Sequence, residues 1–418
     1  MDFDELSRHD VRHGEHISEI LDELARFQLP PWPDDFMDTV ADGIAFVTFA
    51  YDIDGVSMEI AKYATSFENL RPGIPIHCIA GNFGDKADAV LAPRWQRFRL
   101  DGADGWDKWD DGRWFHQLFY EDLPPDSEQS SELAAEMWDQ ALALAARLIA
   151  YLDAHGIRVL FTVNTNSNPG NVAFGLARVL VAETTGVVVI NNNHDFYWEG
   201  GKAGCKRNPG EQPGPRDHFF RNHDNEEFFS FFQRIYPWNG RRWVQVNINS
   251  VQSRRLIDRF HFHPKAVYTL GTGLDPSFFR SRSEELTQRC RRAMSYVLGG
   301  GEVITPTPVD RFADAIGGWM HDQRPVVCAA AEGARLDLLS PDALILLQPT
   351  RIVERKRIWK DWELIGALVG HPPFLEALRE RPDMTLTLQV TGPVPVEHQE
   401  CLERVIDAYR SALDAAPP

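Results

Sequence analysis

Residues 159–195 read VLFTVNTNSNPGNVAFGLARVLVAETTGVVVINNNHD, and this stretch decides the fold class. Residues 159–163 form a continuous apolar run, 172–183 an apolar helical segment, and 187–190 a second apolar run. Strands covered by helices on both faces read as unbroken apolar runs rather than as alternation. Strand, helix and strand in that order form a βαβ unit, which requires a parallel pair and a crossover helix.

The same alternation continues on both sides. Upstream, residues 44–50 (IAFVTFA) read as a buried strand, Asp52 to Gly55 as a turn, and the next segment as a helix with Ile60, Tyr63, Ala64 and Phe67 on one stripe. Residues 76–80 read as a strand. Residues 91–126, rich in Trp, Asp and Gly, show no period. A long amphipathic helix over 131–154 then buries Leu133, Met137, Ala141, Leu144, Leu148 and Leu152.

Downstream, the patterns predict a strand over 243–248, a helix over 251–260, a strand over 266–270, and helices over 283–298 and 308–321. A new unit begins near Ala343, with strands over 343–348 and 384–390 and helices over 359–378 and 396–415. The expected class is α/β, with domains at 1–337 and 338–418. Two βα units are too few for an independent sheet, which has about five or six strands, so the second domain reads as incomplete in this chain.

Composition narrows the function. With 43 Lys+Arg against 61 Asp+Glu the net charge is -18, which argues against nucleic acid or an anionic membrane surface as partner. The five cysteines are scattered and form no Cys-x-x-Cys, so neither a disulfide framework nor a zinc site is expected. The acidic start MDFDELSRHD does not resemble a signal peptide, and no apolar run approaches the roughly 20 residues that span a bilayer. A cytoplasmic protein without integral membrane association is expected.

Four constellations could carry chemistry. In FVTFAYDIDGVSMEI (46–60) a strand, a turn at Gly55 and a helix start suit an anionic or polyol ligand, or make a plain βα turn. In VVINNNHDFYWEGG (188–201) three asparagines, His194 and Asp195 follow a strand directly. Ligand crevices lie outside the carboxyl ends of parallel strands, so this reads as a sugar-binding and catalytic cluster, against a polar loop with a capped helix start. The loop carrying Lys202, Lys206, Arg207 and Arg216 either receives an anionic acceptor or is simply solvated. In LLQPTRIVERKRI (346–358), Arg351 and Lys356 suit a diphosphate or form an exposed basic turn.

In this order these pieces resemble the retaining GT-B glycosyltransferases of family 4, a group that includes sucrose-phosphate synthase and many bacterial mannosyl- and glucosyltransferases. The Asp54–Gly55 turn resembles the family's glycine-bearing loop, NNNHDFYWE its His-Asp segment, and PTRIVERKRI its donor-phosphate segment, with Arg357 where glycine is common. VNINSVQSRRLIDRF with AVYTLGTGLDPSFF resembles the segment that closes the N-terminal domain, and LTLQVTGP the next strand, ending at Gly392.

The resemblance implies two Rossmann-like domains, the first binding the acceptor and the second the nucleotide-sugar donor. Arg351 and Lys356 would grip the diphosphate, with Gly55 and Gly392 as further donor contacts. Lys202, Lys206, Arg207 and Arg216 would receive the acceptor. His194 would contact the transferred sugar, with Asp195 beside it as the second catalytic residue. A hexose would pass to a small or carbohydrate acceptor with retention, and neither metal nor cofactor would be needed. One departure stands out. The family's two glutamates eight positions apart are missing, since only Glu397, Glu400 and Glu403 follow Gly392. The chain is therefore expected to be a truncated enzyme or, alternatively, a non-catalytic carbohydrate- or sugar-nucleotide-binding relative.

Overall fold

The computed structural model describes residues 2–26, 36–105, 123–199, 225–273, 281–308, 327–329, 333–350, 352–381, 384–390 and 399–415. The chain divides into two compact units, Met1–Gly273 and Leu274–Pro418. The sequence places the boundary at 337/338. Residues from 274 onward group with the later unit because the helix Glu284–Gly299 is tied to the strand at Ala343. Arg291 on that helix donates to the carbonyls of Leu338 (3.2 Å), Ser340 (2.8 Å) and Ala343 (3.3 Å).

The first unit carries, in chain order, α1 (Gly14–Arg26), β1 (Ile44–Val47), α2 (Gly55–Leu70), β2 (Ile76–Ala80), β3 (Gln96–Arg99), α3 (Glu128–His155), β4 (Val159–Val163) and α4 (Val172–Thr185). It continues with β5 (Val188–Asn193), α5 (Glu226–Ile235), β6 (Trp243–Asn247), α6 (Ser250–Asp258) and β7 (Val267–Thr269). The seven strands form one sheet in the order β3-β2-β1-β4-β5-β6-β7, and every pairing is parallel. β1, β4 and β5 are thus adjacent central strands, as their apolar runs require. The order reverses between β1 and β4, which is where an open α/β sheet presents its ligand crevice.

Alternate side chains leave opposite faces of each strand. Ala45, Val47, Leu160 and Val189 enter a core with Leu133, Met137 and Leu148 of α3, Phe174 and Leu180 of α4, and Phe231 of α5. Ile44, Phe46, Phe161, Val163 and Val188 enter a second core with Ile60 and Ala64 of α2. Helices therefore cover both faces, the doubly wound arrangement. Asn171 caps α4 by accepting from Phe174 N (2.9 Å), and Gly186 closes its other end at φ 74.

Of the first-unit elements named above, β3, α1 and α5 had no predicted counterpart. β3 (QRFR) is an edge strand with mostly exposed side chains, so it has no apolar run to reveal it. α1 and α5 are amphipathic. In α5 the residues Phe228, Phe231, Phe232 and Ile235 do recur at helical spacing, so its signal was present.

The second unit contains α7 (Glu284–Gly299), β8 (Ala343–Gln348), α8 (Trp359–Val369), α9 (Pro372–Arg379), β9 (Thr385–Val390) and α10 (Gln399–Ala415). β8 and β9 pair in parallel, and α8 packs on α10 through Trp359, Cys401, Leu402 and Val405. The single helix expected over 359–378 is two helices. Pro372 cannot donate a backbone hydrogen bond and begins the second of them. The helix expected over 308–321 lies almost wholly outside the described residues.

Arg357, at the place where the resembling family has glycine, adopts φ 49, ψ 43. A side chain costs about 1–2 kcal/mol there and glycine almost nothing. Arg357→Gly is therefore expected to stabilise the second unit by about 1 kcal/mol, read as a higher urea midpoint. An unchanged or lower midpoint contradicts it.

Candidate functional site

The crevice at the reversal itself is closed by the chain. Asn171 Nδ2 donates to the carbonyls of Gly102 (2.9 Å) and Asp104 (2.8 Å), and Gly170 lies against the Phe49 ring. The remaining polar surface of the carboxyl edge gathers between the start of α2 and the end of β5.

At the β1–α2 turn, Asp54 caps the helix by accepting from Ser57 N (2.6 Å), while Ser57 Oγ accepts from Asp52 N (3.2 Å). Gly55 follows as the first helical residue. A Cβ there would meet no atom within 4 Å, so packing gives no reason for glycine. Gly55→Ala should keep or raise stability, by up to about 1 kcal/mol of helix propensity. If a ligand approaches this backbone closely, the same variant should bind it more weakly. A variant of unchanged stability and unchanged ligand affinity leaves Gly55 as a plain turn residue.

The three asparagines of β5 divide by face. Asn191 and Asn193 point toward the α3–α5 side and are consumed in a buried ladder. Thr162 Oγ1 donates to Asn191 Oδ1 (2.8 Å), and Asn191 Nδ2 donates to Asn193 Oδ1 (2.9 Å) and Gln245 Oε1 (2.9 Å). Asn193 Nδ2 donates to Gln245 Oε1 (3.0 Å) and Asn247 Oδ1 (2.9 Å). Only Asn192 faces α2. Its Nδ2 reaches Tyr63 Oη at 3.4 Å, and its buried Oδ1 has no partner among the described residues.

The corner after β5 is held from several directions. Asp195 N donates to Asn164 Oδ1 (3.0 Å), Gln252 Nε2 to the His194 carbonyl (3.0 Å), and Tyr197 N to the Ser167 carbonyl (3.1 Å). Asn164 sits in the left-handed region at φ 58, which asparagine tolerates better than most residues. Beneath it lies Arg178 of α4, wholly buried. It donates to Asn166 Oδ1 (2.7 Å) and the Thr165 carbonyl (2.5 Å) and stacks 4.2 Å from the Phe174 ring centroid. Burial pulls its pKa down to about 9. The loop after β4 is thereby fixed, and with it the template for His194 and Asp195.

His194 Nε2 is buried without a partner among the described residues. Burial holds the imidazole below its usual pKa, assisted by Lys62 and opposed by the carboxylates of Glu59, Asp195 and Asp54. Those same influences place His194 near the start of α2. Glu59, 4% exposed, pairs with Lys62 at 3.0 Å, and Lys62 also donates to the Gly273 carbonyl (2.9 Å). Tyr63 lies 4.7 Å from the Phe161 ring centroid. Burial first, then the charge of Glu59 and a hydrogen bond with it, push the Tyr63 hydroxyl up to about 12, so it remains a donor at neutral pH.

Of the residues singled out in the sequence, Gly55, His194 and Asp195 thus lie along one edge of the sheet. Lys356 closes an exposed 3-10 turn, Glu354–Lys356, beyond β8 in the second unit. Glu354 in that turn is held by Arg404 at 2.9 Å. Lys202, Lys206, Arg207, Arg216, Arg351 and Gly392 lie outside the described residues. Glu59, Tyr63 and Arg178 had no functional reading in the sequence. Glu59 and Tyr63 stand four apart on α2 and so share a face, but the apolar stripe masked them. Among the described residues no group of His, Cys, Asp and Glu could hold a metal, and no helix is long and apolar enough to cross a membrane.

No family model matches the sequence, and no curated protein matches it. Among solved structures, a glycosyltransferase from Rickettsia africae ESF-5 is similar at TM-score 0.41 and 11% identity, covering 88% of this chain and 65% of its own. WaaG, a glycosyltransferase involved in lipopolysaccharide biosynthesis, gives TM-score 0.41 and 11% identity over 88% of this chain and 68% of its own. A UDP-glucosyltransferase from Polygonum tinctorium capable of glucosylating indoxyl gives TM-score 0.31 and 13% identity over 77% and 67%. The chain spans 65% of the length of the Rickettsia protein. At such identities no individual residue passes from those proteins to this one.

Proposed function

We propose that the chain belongs to a glycosyltransferase that moves a hexose from a nucleotide sugar to a hydroxyl of a small or carbohydrate acceptor, with retention. The observation that carries this reading is His194. Its backbone carbonyl is held by Gln252, and its imidazole is neutral at physiological pH and buried at Nε2 without a partner among the described residues, at the carboxyl edge of the parallel sheet. A neutral imidazole suits a sugar hydroxyl, because it can donate or accept a hydrogen bond without bringing charge.

In this proposal His194 contacts the transferred sugar and Asp195 polarises its surroundings. Gly55 leaves room for the ligand at the α2 start. Arg351 and Lys356 would grip the diphosphate, with Gly392 as a further donor contact. Their charges offset the one that develops on the leaving group, so the proposal needs no metal. Lys202, Lys206, Arg207 and Arg216 would serve the acceptor.

The test incubates the purified protein with UDP-, GDP- and ADP-hexoses and a panel of sugar acceptors. Release of nucleoside diphosphate should appear with one donor class, and the product's anomeric proton coupling should match the donor's. Binding without release for every donor would favour a non-catalytic sugar-nucleotide-binding protein. An inverted product would reject retention alone.

A further inference from the structure

We infer that Glu59, Tyr63 and Asn192 form a subsite for the vicinal hydroxyls of an uncharged polyol, separate from the donor-phosphate contacts. The inference deepens the reading of a hydroxyl-bearing substrate and rests on it.

Asn192 carries most of the argument. It is 0% exposed, yet its Oδ1 has no hydrogen-bond partner among the described residues, and its amide nitrogen makes only a 3.4 Å contact with Tyr63. A buried carbonyl left unpaired costs about 1–3 kcal/mol. Asn191 and Asn193 on the same strand show that this chain can satisfy buried asparagines fully when their role is structural. The unmatched atom is on the face toward α2, where the amide nitrogen of the same side chain reaches Tyr63, and Tyr63 in turn lies beside the buried Glu59 carboxylate.

The chemistry of the lining selects the ligand. Asn192 Oδ1 and the Glu59 carboxylate are acceptors, so the ligand must bring donors. Lys62 already pairs with Glu59 and donates to the Gly273 carbonyl, which leaves the local balance unfavourable for a phosphate or carboxylate group. Tyr63, kept protonated beside Glu59, offers the one hydroxyl that can both donate and accept. Adjacent hydroxyls on a sugar or cyclitol ring meet these demands together.

The test uses saturation-transfer difference NMR with methyl α-D-glucopyranoside and myo-inositol at millimolar concentration, inorganic phosphate as the anionic comparison, and no nucleotide sugar. Wild type should bind at least one polyol and show no preference for phosphate. Asn192→Leu should weaken that polyol at least fivefold while its melting temperature stays level or rises, because Oδ1 has no partner among the described residues and Nδ2 gives up only the long 3.4 Å contact with Tyr63. Asn192→Ala, which adds no bulk, serves in its place if the leucine variant fails to fold.

A polyol that binds wild type and both variants alike overturns the inference. So does a variant that loses several degrees of stability, preferential binding of phosphate, or no polyol binding to wild type at all. Transfer is read in a separate assay. A polyol that binds through Asn192 yet is never glycosylated by any donor removes the glycosyltransferase reading and leaves the subsite in place.

Discussion

Asn191→Leu is expected to destabilise the first unit by about 3–5 kcal/mol, the largest stability effect of any single substitution considered for this chain. Leucine is close in size, so no large cavity forms. The cost comes from the partners it strands. Thr162 Oγ1 loses its acceptor and Asn193 Oδ1 loses its donor, both fully buried. Gln245 Oε1 keeps one of its two donors, from Asn193. Two orphaned buried groups at roughly 1–3 kcal/mol each, together with the direct bonds lost, give the stated range. For a domain of this size that corresponds to a melting temperature lower by roughly 10 °C. Urea denaturation of Asn191→Leu and Asn192→Leu side by side makes the comparison. The neighbouring asparagine should behave oppositely. Equal losses at the two positions would show that the ladder and the unpaired amide do not differ in role.

This contrast shows how far the sequence could be read. The apolar runs at Ile44–Val47 and Val159–Val163 announced parallel strands because burial on both faces leaves them apolar but for Thr162. The same logic located the carboxyl edge, and hence His194 and Asp195. What it could not separate was the run Asn191, Asn192, Asn193. Side chains in a strand alternate between faces, so three identical letters hide two structural residues and one that faces α2. Facing is set by the β4 and β6 partners, Thr162 and Gln245, which are remote in the chain.

Arg178 was illegible for a related reason. Within an apolar helix an arginine reads as a surface interruption, since charged residues are rarely buried whole. Its buried position follows from the loop after β4, which folds back so that Asn166 and the Thr165 carbonyl meet the guanidinium. The edge strand Gln96–Arg99 is exposed along most of its length and leaves no hydrophobic period to find. The division of 359–378 was legible in principle, because the prolines at 372 and 373 mark a helix start rather than a helix interior.

His194→Ala is expected to lower kcat by roughly 10²–10⁴-fold, the range typical of a lost positioned acid–base group. It should change stability little by comparison, because Nε2 has no partner to lose among the described residues, whereas the backbone carbonyl and the following amide keep their bonds to Gln252 and Asn164 in any substitution. The pH profile supplies a second check. Burial lowers the folded pKa of His194 beneath its ordinary value near 6.5. The imidazole therefore stays neutral across physiological pH and takes up a proton only below that value, so kcat of the wild type should be flat through neutrality and fall on further acidification. In the unfolded chain the same group binds its proton earlier, near pH 6.5. Its effect on stability is therefore absent at higher pH and grows unfavourable as pH drops from there toward the folded pKa. Measuring kcat and melting temperature at each pH separates the two effects. Replacement by glutamine, which keeps a neutral hydrogen-bonding end but cannot titrate in this range, should recover part of kcat and remove the acid-side decline. A glutamine variant with the wild-type acid decline would assign that decline to another group, and an alanine variant with wild-type kcat would take His194 out of the reaction.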